Sequence, residues 1–165
     1  MGGRKKRQAA QTINILVKAP EWSKIPRIEA KIRKAVECAL TAEGQTAAEI
    51  NILLSDDASV RTLNSQFRHI DKPTNVLSFP AAEGPGKGNA LGDIILGYGT
   101  VAREATEQNK SFLHHAQHLT MHGMLHLLGF DHEREDEAAE MEALETKLCL
   151  SLGIADPYKD PDTGN

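Results

Sequence analysis

The spacing of hydrophobic residues along the chain predicts four strands and five helices. Alternating runs rich in Ile, Val and Leu predict strands over residues 12–18, 48–54 and 91–99, and a further strand begins near Asn75. Helical spacing of apolar residues predicts a short helix that carries Val60, Leu63 and Phe67, and longer helices over residues 26–43, 100–109, 111–128 and 134–152. This order of elements indicates an α+β domain with a single mixed sheet of about four strands, packed with about five helices.

Capping residues define the ends of several predicted helices. Asp56 and Asp57 can cap the short helix, because carboxylate oxygens accept hydrogen bonds from the first free backbone N–H groups. For the same reason we expect Thr100 and Ser111 to begin the third and fourth helices with their hydroxyl groups. Gly129 is placed to end the fourth helix.

The length of 165 residues and the hydrophobic fraction of 40% fit one domain with a real core. We expect residues 12–158 to form a single catalytic domain, residues 1–11 to be a disordered basic N-terminus, and residues 159–165 to be an irregular tail. No stretch approaches the ~20 apolar residues of a membrane span, and no secretory signal is visible, so a cytoplasmic location without membrane contact is expected.

The charge of the chain is unevenly distributed around a formal net value of −4, which does not by itself indicate a nucleic-acid binder. The stretch from Asp131 to Lys147 contains eight acidic and two basic residues. We interpret this acidic run as the solvated face of the last helix. Cys38 and Cys149 are not closely spaced, so they indicate buried thiols rather than a disulfide framework or a cysteine zinc site.

Six of the seven histidines fall between residues 114 and 132, and this clustering is the strongest chemical signal in the sequence. His114, His118, His122 and His126 recur every four residues along one predicted helix, so successive members lie one above another on nearly the same face. Any adjacent pair of these imidazoles could therefore hold one metal ion.

The position of a third histidine selects one pair. Gly129 ends the helix, and the chain can then turn back so that His132 reaches the last helical turns, which carry His126 and His122. Three nitrogen ligands leave a fourth tetrahedral position open for water or substrate, as in catalytic zinc sites. We therefore predict one Zn²⁺ per chain at a helix and the turn that follows it, although imidazole also suits nickel, copper and iron.

The other histidines and one glycine have less specific interpretations. His118 either supports a neighbouring metal ligand or lies in or at the boundary of the core, and His114 and His115 are expected to be solvent-facing or lightly packed. Gly123 stands where a zinc protease of the HExxH kind has its glutamate base. The helix thus offers metal ligands without a built-in carboxylate base, which weakens a peptidase interpretation but leaves other hydrolysis possible, since zinc acidifies bound water.

The run from His122 to His132, HGMLHLLGFDH, closely resembles the HGxLHLxGYDH signature of the YbeY family of bacterial endoribonucleases. Phe130 is a departure, because the family usually has tyrosine there. Further blocks that resemble the family are LN and FR at residues 63–64 and 67–68, DKPTNVLSFP at residues 71–80, LGDI at residues 91–94, and the acidic helix around residues 140–145. The resemblance covers the chain from the first strand to about Tyr158.

This resemblance implies a function. The three histidines would bind zinc, and Arg68 matches the arginine that faces the metal across a positively lined cleft. The reaction implied is metal-dependent endonucleolytic cleavage of single-stranded RNA, in maturation of small-subunit ribosomal RNA and in ribosome quality control. Ribosomal proteins and an assembly GTPase are the implied protein partners.

Several chemical roles remain open at the level of sequence. The attacking group is either water or the 2′-hydroxyl of the RNA. Asp93 could orient a ligand or cap a turn, and Asp131 could accept a hydrogen bond from a metal-binding histidine or stabilise the turn. Besides Arg68, basic side chains that could contact phosphates are Arg61, Lys72 and Lys87.

Two other functions compete with the endoribonuclease interpretation. One is a zinc-dependent hydrolase of another class, a peptidase or an amidase, against which Gly123 argues. The other is a non-catalytic ribosome-assembly factor with structural zinc, against which the three-histidine set argues, because closed structural sites usually have four protein ligands.

Overall fold

Four short strands pair in the order β1-β2-β4-β3 in the computed structural model, and their bounds are Thr12–Val17 (β1), Glu49–Ser55 (β2), Val76–Pro80 (β3) and Ala90–Gly97 (β4). β1 and β4 both run parallel to β2, and β3 runs antiparallel to β4 at one edge. The structure describes residues 11–130 and 133–159. The sheet is therefore mixed, as the sequence predicts.

Five α-helices cover this sheet, with bounds Ile28–Ala42 (α1), Asp57–Arg68 (α2), Tyr98–Glu107 (α3), Phe112–Leu127 (α4) and Glu135–Ser151 (α5). A 3₁₀ turn at Pro20–Lys24 precedes α1, and its Trp22 is fully buried and donates a hydrogen bond to the carbonyl of Ser55. The predicted strands and longer helices all occur, with ends shifted by at most two residues, so the predicted α+β fold is confirmed.

The two faces of the sheet are covered unequally. Successive side chains of a strand point to opposite faces, and in β4 this places Ile94 in the large core and Ile95 in a smaller cluster. The large core lies under α1 and α4, whereas α2 packs over the smaller cluster around Val60 and Leu77. This arrangement leaves α4 as the central helix, with α1, α3 and α5 as its neighbours.

The predicted disordered N-terminus falls almost entirely on residues 1–10, which lie outside the described part of the chain, as do residues 160–165 of the predicted tail. Among the described residues, no helix combines the length and the apolar character needed to cross a membrane.

The cap of α3 differs from the prediction. The helix begins at Tyr98, before Thr100, and the backbone N–H of Thr100 donates to Asp57 Oδ1 at 2.9 Å. The Thr100 hydroxyl also donates, to Asp57 Oδ2 at 3.0 Å, so it does not cap the helix itself. Gly97 and Gly99 lie against this carboxylate, where a Cβ atom would come within 3.0 Å of it. The carboxylate of a residue on α2 therefore caps α3.

Replacement of Asp57 by alanine should lower the free energy of unfolding by about 1–3 kcal/mol, because it removes the acceptor of a helix N-terminus and leaves a buried donor without its partner. Chemical denaturation followed by circular dichroism measures this change. Asp71→Ala is the control, since it breaks only the exposed ion pair with Arg61 and should not change stability measurably. Equal stability of the Asp57→Ala variant and the parent would contradict the assignment of the cap.

Candidate metal centre

Helix α4 presents His122 and His126 because its other faces are committed to the core. Its side chains Met121, Met124 and Leu125 are fully buried against the sheet and α1. The helix begins at Ser111, whose hydroxyl oxygen accepts a hydrogen bond from the backbone N–H of His114, as predicted. It ends just before Gly129, which has a φ of 100° that favours glycine. The two histidines thus lie one turn apart in the last two turns of a rigid helix.

The two imidazole rings converge on one point. The Nε2 atoms of His122 and His126 are 3.0 Å apart, and the rings meet edge to face at 82°. Two nitrogens at zinc-ligand distances of about 2.0–2.1 Å from a common ion lie roughly 3 Å apart, so this spacing fits a shared metal ion. Both side chains are partly exposed and line the same cleft. The donor set therefore suits zinc.

The third predicted ligand, His132, lies outside the described residues, together with Asp131. The chain on either side is described, and both Phe130 and Glu133 line the cleft that contains His122 and His126. Within residues 11–130 and 133–159, no three His, Cys, Asp or Glu side chains are grouped as a metal site. The predicted three-histidine site thus remains a prediction, with two of its members in place.

A buried carboxylate lies directly behind the histidines. Glu145 of α5 is 0% exposed, and its Oε1 atom makes a short hydrogen bond with Nδ1 of His122. Its Oε2 atom lies 3.0 Å from Nε2 of His118 and also accepts a short hydrogen bond from the hydroxyl of Tyr158. One carboxylate therefore joins two histidines of α4 to the segment that follows α5.

The hydrogen bonds of Glu145 determine its charge. Burial by itself would raise the pKa of this carboxyl, but hydrogen bonds from His118, His122 and Tyr158 outweigh burial and lower the pKa to about 2. Burial and the bond to Glu145 in turn raise the pKa of the Tyr158 hydroxyl well above its usual range. The carboxylate is thus ionised at neutral pH, and the tyrosine is a hydrogen-bond donor.

Arg68 borders the same cleft from the opposite side. It is the last residue of α2, which ends where His69 adopts a left-handed φ of 59°. Its guanidinium reaches the edge strand β3, where Nη2 lies 3.5 Å from the carbonyl oxygen of Ser78. The cleft has a volume of about 690 Å³ and is lined by Arg68, Ser78, both histidines and Tyr158. One exposed cation therefore faces the convergent imidazoles across open space.

The structure places the other predicted phosphate contacts elsewhere. Arg61 is held by Asp71 in a two-pronged ion pair, and Lys87 pairs with Glu83 at 2.6 Å. Of the basic residues that the structure describes, Arg68 lines the cleft, whereas Arg61, Lys72 and Lys87 do not.

Asp93 also lies away from the cleft. It precedes Ile94 in β4, so it points to the sheet face opposite α4. There its Oδ1 atom accepts a hydrogen bond from the side chain of Asn51, which in turn accepts one from Asn14. Asp93 is therefore part of a polar ladder across β1, β2 and β4 and has a structural role.

The remaining histidines of α4 have distinct environments. His114 is exposed, as predicted. His115 is 4% exposed, so the prediction that it is solvent-facing or lightly packed is wrong, and its Nε2 atom lies 2.9 Å from a carboxylate oxygen of Glu104 on α3. His118, for which two interpretations were open, contacts Glu145 and lines the cleft.

The structure gives a physical reason for Gly123. A Cβ atom at this position would lie 3.0 Å from Oγ of Ser78 and 3.2 Å from Cδ1 of Ile94, because α4 approaches the sheet closely here. The carbonyl of Gly123 also accepts a hydrogen bond from the Ser78 hydroxyl at 3.2 Å. There is therefore no space for the glutamate of an HExxH site between helix and sheet.

Glu145 and Tyr158 were missed as site residues in the sequence. The acidic run was assigned to a solvated face, which holds for most of its described members but is wrong for Glu145. A signal was present, because Glu145 follows Met141 by four positions and precedes Leu148 by three, and so shares their buried stripe. Nothing in the local sequence marked Tyr158.

Comparisons with known proteins agree on one family. Residues 16–153 match the family described as "Endoribonuclease YbeY". A Bradyrhizobium diazoefficiens protein of that name is 52% identical over 88% of this chain and 84% of its own length. Another of the same name, from a Chelativorans species, is 48% identical over 90% of this chain and 94% of its own length. The solution structure of a Thermotoga maritima protein is 25% identical, covers 90% of this chain and 99% of its own, and superposes with a TM-score of 0.52.

Replacement of Gly123 by glutamate, which would create an HExxH sequence, should destabilise the domain by about 3 kcal/mol or more. The new side chain would overpack the contact with Ile94 and bury a charge without a partner. Thermal unfolding followed by circular dichroism measures the effect. His114→Glu on the exposed first turn of α4 is the control and should unfold near the parental temperature. A Gly123→Glu protein as stable as the parent would show that the helix can move away from the sheet.

Proposed function

The chain belongs to the YbeY endoribonuclease family, and from this premise we propose that it is a zinc-dependent enzyme that cleaves single-stranded RNA internally. The observation that carries the proposal is the pair of Nε2 atoms of His122 and His126, 3.0 Å apart and facing Arg68 across one cleft. In this proposal His132 is the third zinc ligand. The described residues on both sides of it border the same cleft, which supports this role.

A zinc ion bound at this site supplies a Lewis acid, which favours attack at a phosphodiester. The protein's own groups bind and orient the substrate around it. Two of the proposed ligands, His122 and His126, come from the last two turns of α4, which is packed against both the sheet and α5, so these two imidazoles are fixed before any substrate binds. Such preorganised groups do not have to be reordered during the reaction.

Arg68 is proposed to bind the phosphate under attack. Its planar guanidinium can donate two parallel hydrogen bonds to phosphate oxygens. The contact with the carbonyl of Ser78 directs the side chain over the edge of β3 and leaves the rest of the guanidinium accessible from the cleft. Arg68 can therefore stabilise negative charge that develops in the transition state.

The size and lining of the cleft suit single-stranded RNA. A volume of about 690 Å³ holds a short stretch of unpaired nucleotides, and the aromatic rings of Phe130 and Tyr158 lie along its lining. Bases of unpaired RNA bind by stacking on such rings. With an aromatic content of 4%, the chain offers few further stacking surfaces.

We propose the finer biological role from family membership. The substrate is ribosomal RNA, the process is maturation of the small-subunit RNA and ribosome quality control, and the location is the cytoplasm. Ribosomal proteins and an assembly GTPase are the proposed protein partners.

Loss of Arg68 should reduce RNA cleavage without loss of metal. We expect Arg68→Ala to lower kcat/KM on a single-stranded oligoribonucleotide by about 10²–10³-fold, the cost of removing one transition-state donor. Arg68→Lys should be intermediate, because lysine keeps the charge but loses the paired donors. The measurements are initial rates with a labelled RNA and the zinc content of each variant.

Arg61→Ala is the matched control for Arg68, because both arginines are exposed on α2 but Arg61 is turned away from the cleft and paired with Asp71. It should cleave at the parental rate. If Arg68→Ala also cleaved at the parental rate with normal folding, Arg68 would have no catalytic role.

Removal of the metal should abolish RNA cleavage, and addition of zinc should restore it. Metal-depleted protein, reloaded protein and a His122→Ala variant are compared on single-stranded RNA and on casein, with the bound metal measured in each. We expect cleavage of RNA only, and only by the reloaded protein. Cleavage of casein would favour a peptidase, and chelator-resistant RNA cleavage by a metal-free protein would refute the zinc dependence.

Two variants, His126→Ala and Arg68→Ala, distinguish a catalytic zinc ion from a structural one. A structural ion would stabilise the fold, so its loss in His126→Ala would unfold the domain. In that case the replacement of Arg68 by alanine would not change the rate of any RNA cleavage by the chain. We expect the opposite pattern: a folded His126→Ala protein without activity.

A further inference from the structure

Glu145 differs from the other acidic residues of α5, most of which are exposed to solvent, because it is buried and has three hydrogen-bonding partners. Its carboxylate is fully buried between α4 and α5, and partners on two different segments hold both of its oxygens. An ionised group of this kind is costly to bury unless its hydrogen bonds are satisfied. The proposed reaction uses none of its atoms directly, so its position calls for another explanation.

The geometry defines which nitrogen of His122 carries the proton. A carboxylate is only an acceptor, so Nδ1 of His122, which contacts Oε1 of Glu145, must donate its N–H. In the neutral ring the lone pair is then on Nε2, the atom that lies 3.0 Å from Nε2 of His126 and faces the cleft. Glu145 thus selects the tautomer that a metal ligand at Nε2 requires.

The second oxygen of Glu145 is anchored independently. His118 lies one turn before His122 on α4, and Tyr158 comes from the segment after α5. The rings of His118 and Tyr158 also meet edge to face, with centroids 5.9 Å apart. Because these two residues fix Oε2, the carboxylate cannot rotate away from His122 without breaking two other contacts.

We propose that Glu145 is a positioning residue that holds His122 in the Nδ1–H tautomer and in its ring orientation, and thereby raises the affinity of the histidine site for zinc. This inference rests on the proposed function, since it assumes that His122 is a zinc ligand. It adds that the metal affinity of the site depends on a buried carboxylate from a different helix. Carboxylates that accept from metal-binding histidines commonly change metal affinity by about 10- to 100-fold.

The same helix offers a matched comparison. His115 of α4 also contacts a carboxylate, that of Glu104 on α3, at 2.9 Å. In this pair the histidine is the more buried partner, whereas in the pair of His122 and Glu145 it is the carboxylate. This second pair is absent from the lining of the cleft with His122 and His126. Changes at Glu104 therefore remove a histidine–carboxylate contact on α4 and leave the three contacts of Glu145 in place. Glu104 also accepts a hydrogen bond from Asn75, which lines the cleft, so any effect of that contact is measured by the same controls.

The experiment measures zinc dissociation constants by competition with a chromophoric chelator. Glu145→Gln keeps one acceptor oxygen and should weaken zinc binding by about 10-fold, whereas Glu145→Met keeps the length but no acceptor and should weaken it by about 100-fold. The matched controls Glu104→Gln and Glu104→Met should have zinc dissociation constants within about twofold of the parent, because a twofold change is a small difference in binding free energy. Equal zinc affinity in the parent and both Glu145 variants would overturn the inference.

A second measurement reports the tautomer without any metal. Long-range ¹H–¹⁵N correlation spectra of metal-free protein distinguish Nδ1–H from Nε2–H imidazole. We expect Nδ1–H at His122 in the parent and in the Glu104 variants, and a loss of this preference in Glu145→Met. A general loss of packing would not change the tautomer selectively. If the Glu145 variants do not fold, the spectrum of the parent still decides, because an Nε2–H tautomer at His122 would refute the inference.

These measurements distinguish a failure of the proposed function from a failure of the proposed role of Glu145. A parent protein that does not bind zinc at all would refute the proposed function, whatever Glu145 does. If the parent binds zinc tightly and the Glu145 variants bind it equally well, the proposed function stands, but Glu145 does not contribute to the zinc affinity.

Discussion

The close approach of α4 to the sheet is the constraint on which the candidate site depends. At Gly123 the helix backbone comes so near to Ser78 and Ile94 that a single Cβ atom would be crowded. His122, the residue before Gly123, lines a cleft together with Ser78 of β3, the residue that the helix approaches. Arg68 reaches the same cleft around the edge of the same strand. The distance between the cation and the imidazoles is therefore determined by helix–sheet packing.

Burial of an ionised group is the second feature that distinguishes this domain. Most acidic side chains of α5 are in water, where they cost little, but Glu145 is enclosed and held by three donors. Satisfied polar networks of this kind restrict the number of arrangements that a core can adopt. Hydrogen bonds of Glu145, in addition to apolar contacts, therefore fix how α4 packs against α5. They also restrict the movement of His122, which lines the cleft on the other side of its ring.

The regular elements could be predicted from the sequence because they depend on local periodicity, as in the run of alternating residues in β1 or the Ser111 cap of α4. Features that depend on contacts between distant residues could not. Thr100 was assigned its own cap, whereas its partner Asp57 lies 43 positions away on another helix. In the candidate site, the i, i+4 spacing together with Gly129 and His132 selected His122 and His126, but the carboxylate that contacts His122 comes from 23 residues further along the chain. Local patterns thus identified the two histidines that line the cleft, and missed the carboxylate that holds one of them.

The residues around the cleft are widely separated in sequence, from Arg68 at the end of α2 to Tyr158 beyond α5. A ribosome releases a chain from its N-terminus, and domains fold as the necessary segments emerge. The strands and α4 precede Tyr158 in the chain, so the cleft is completed only after these elements have been synthesised. For a nuclease that is made on a particle built of RNA, the order of residues along the chain means that Arg68 and the histidines of α4 are synthesised before the cleft is complete.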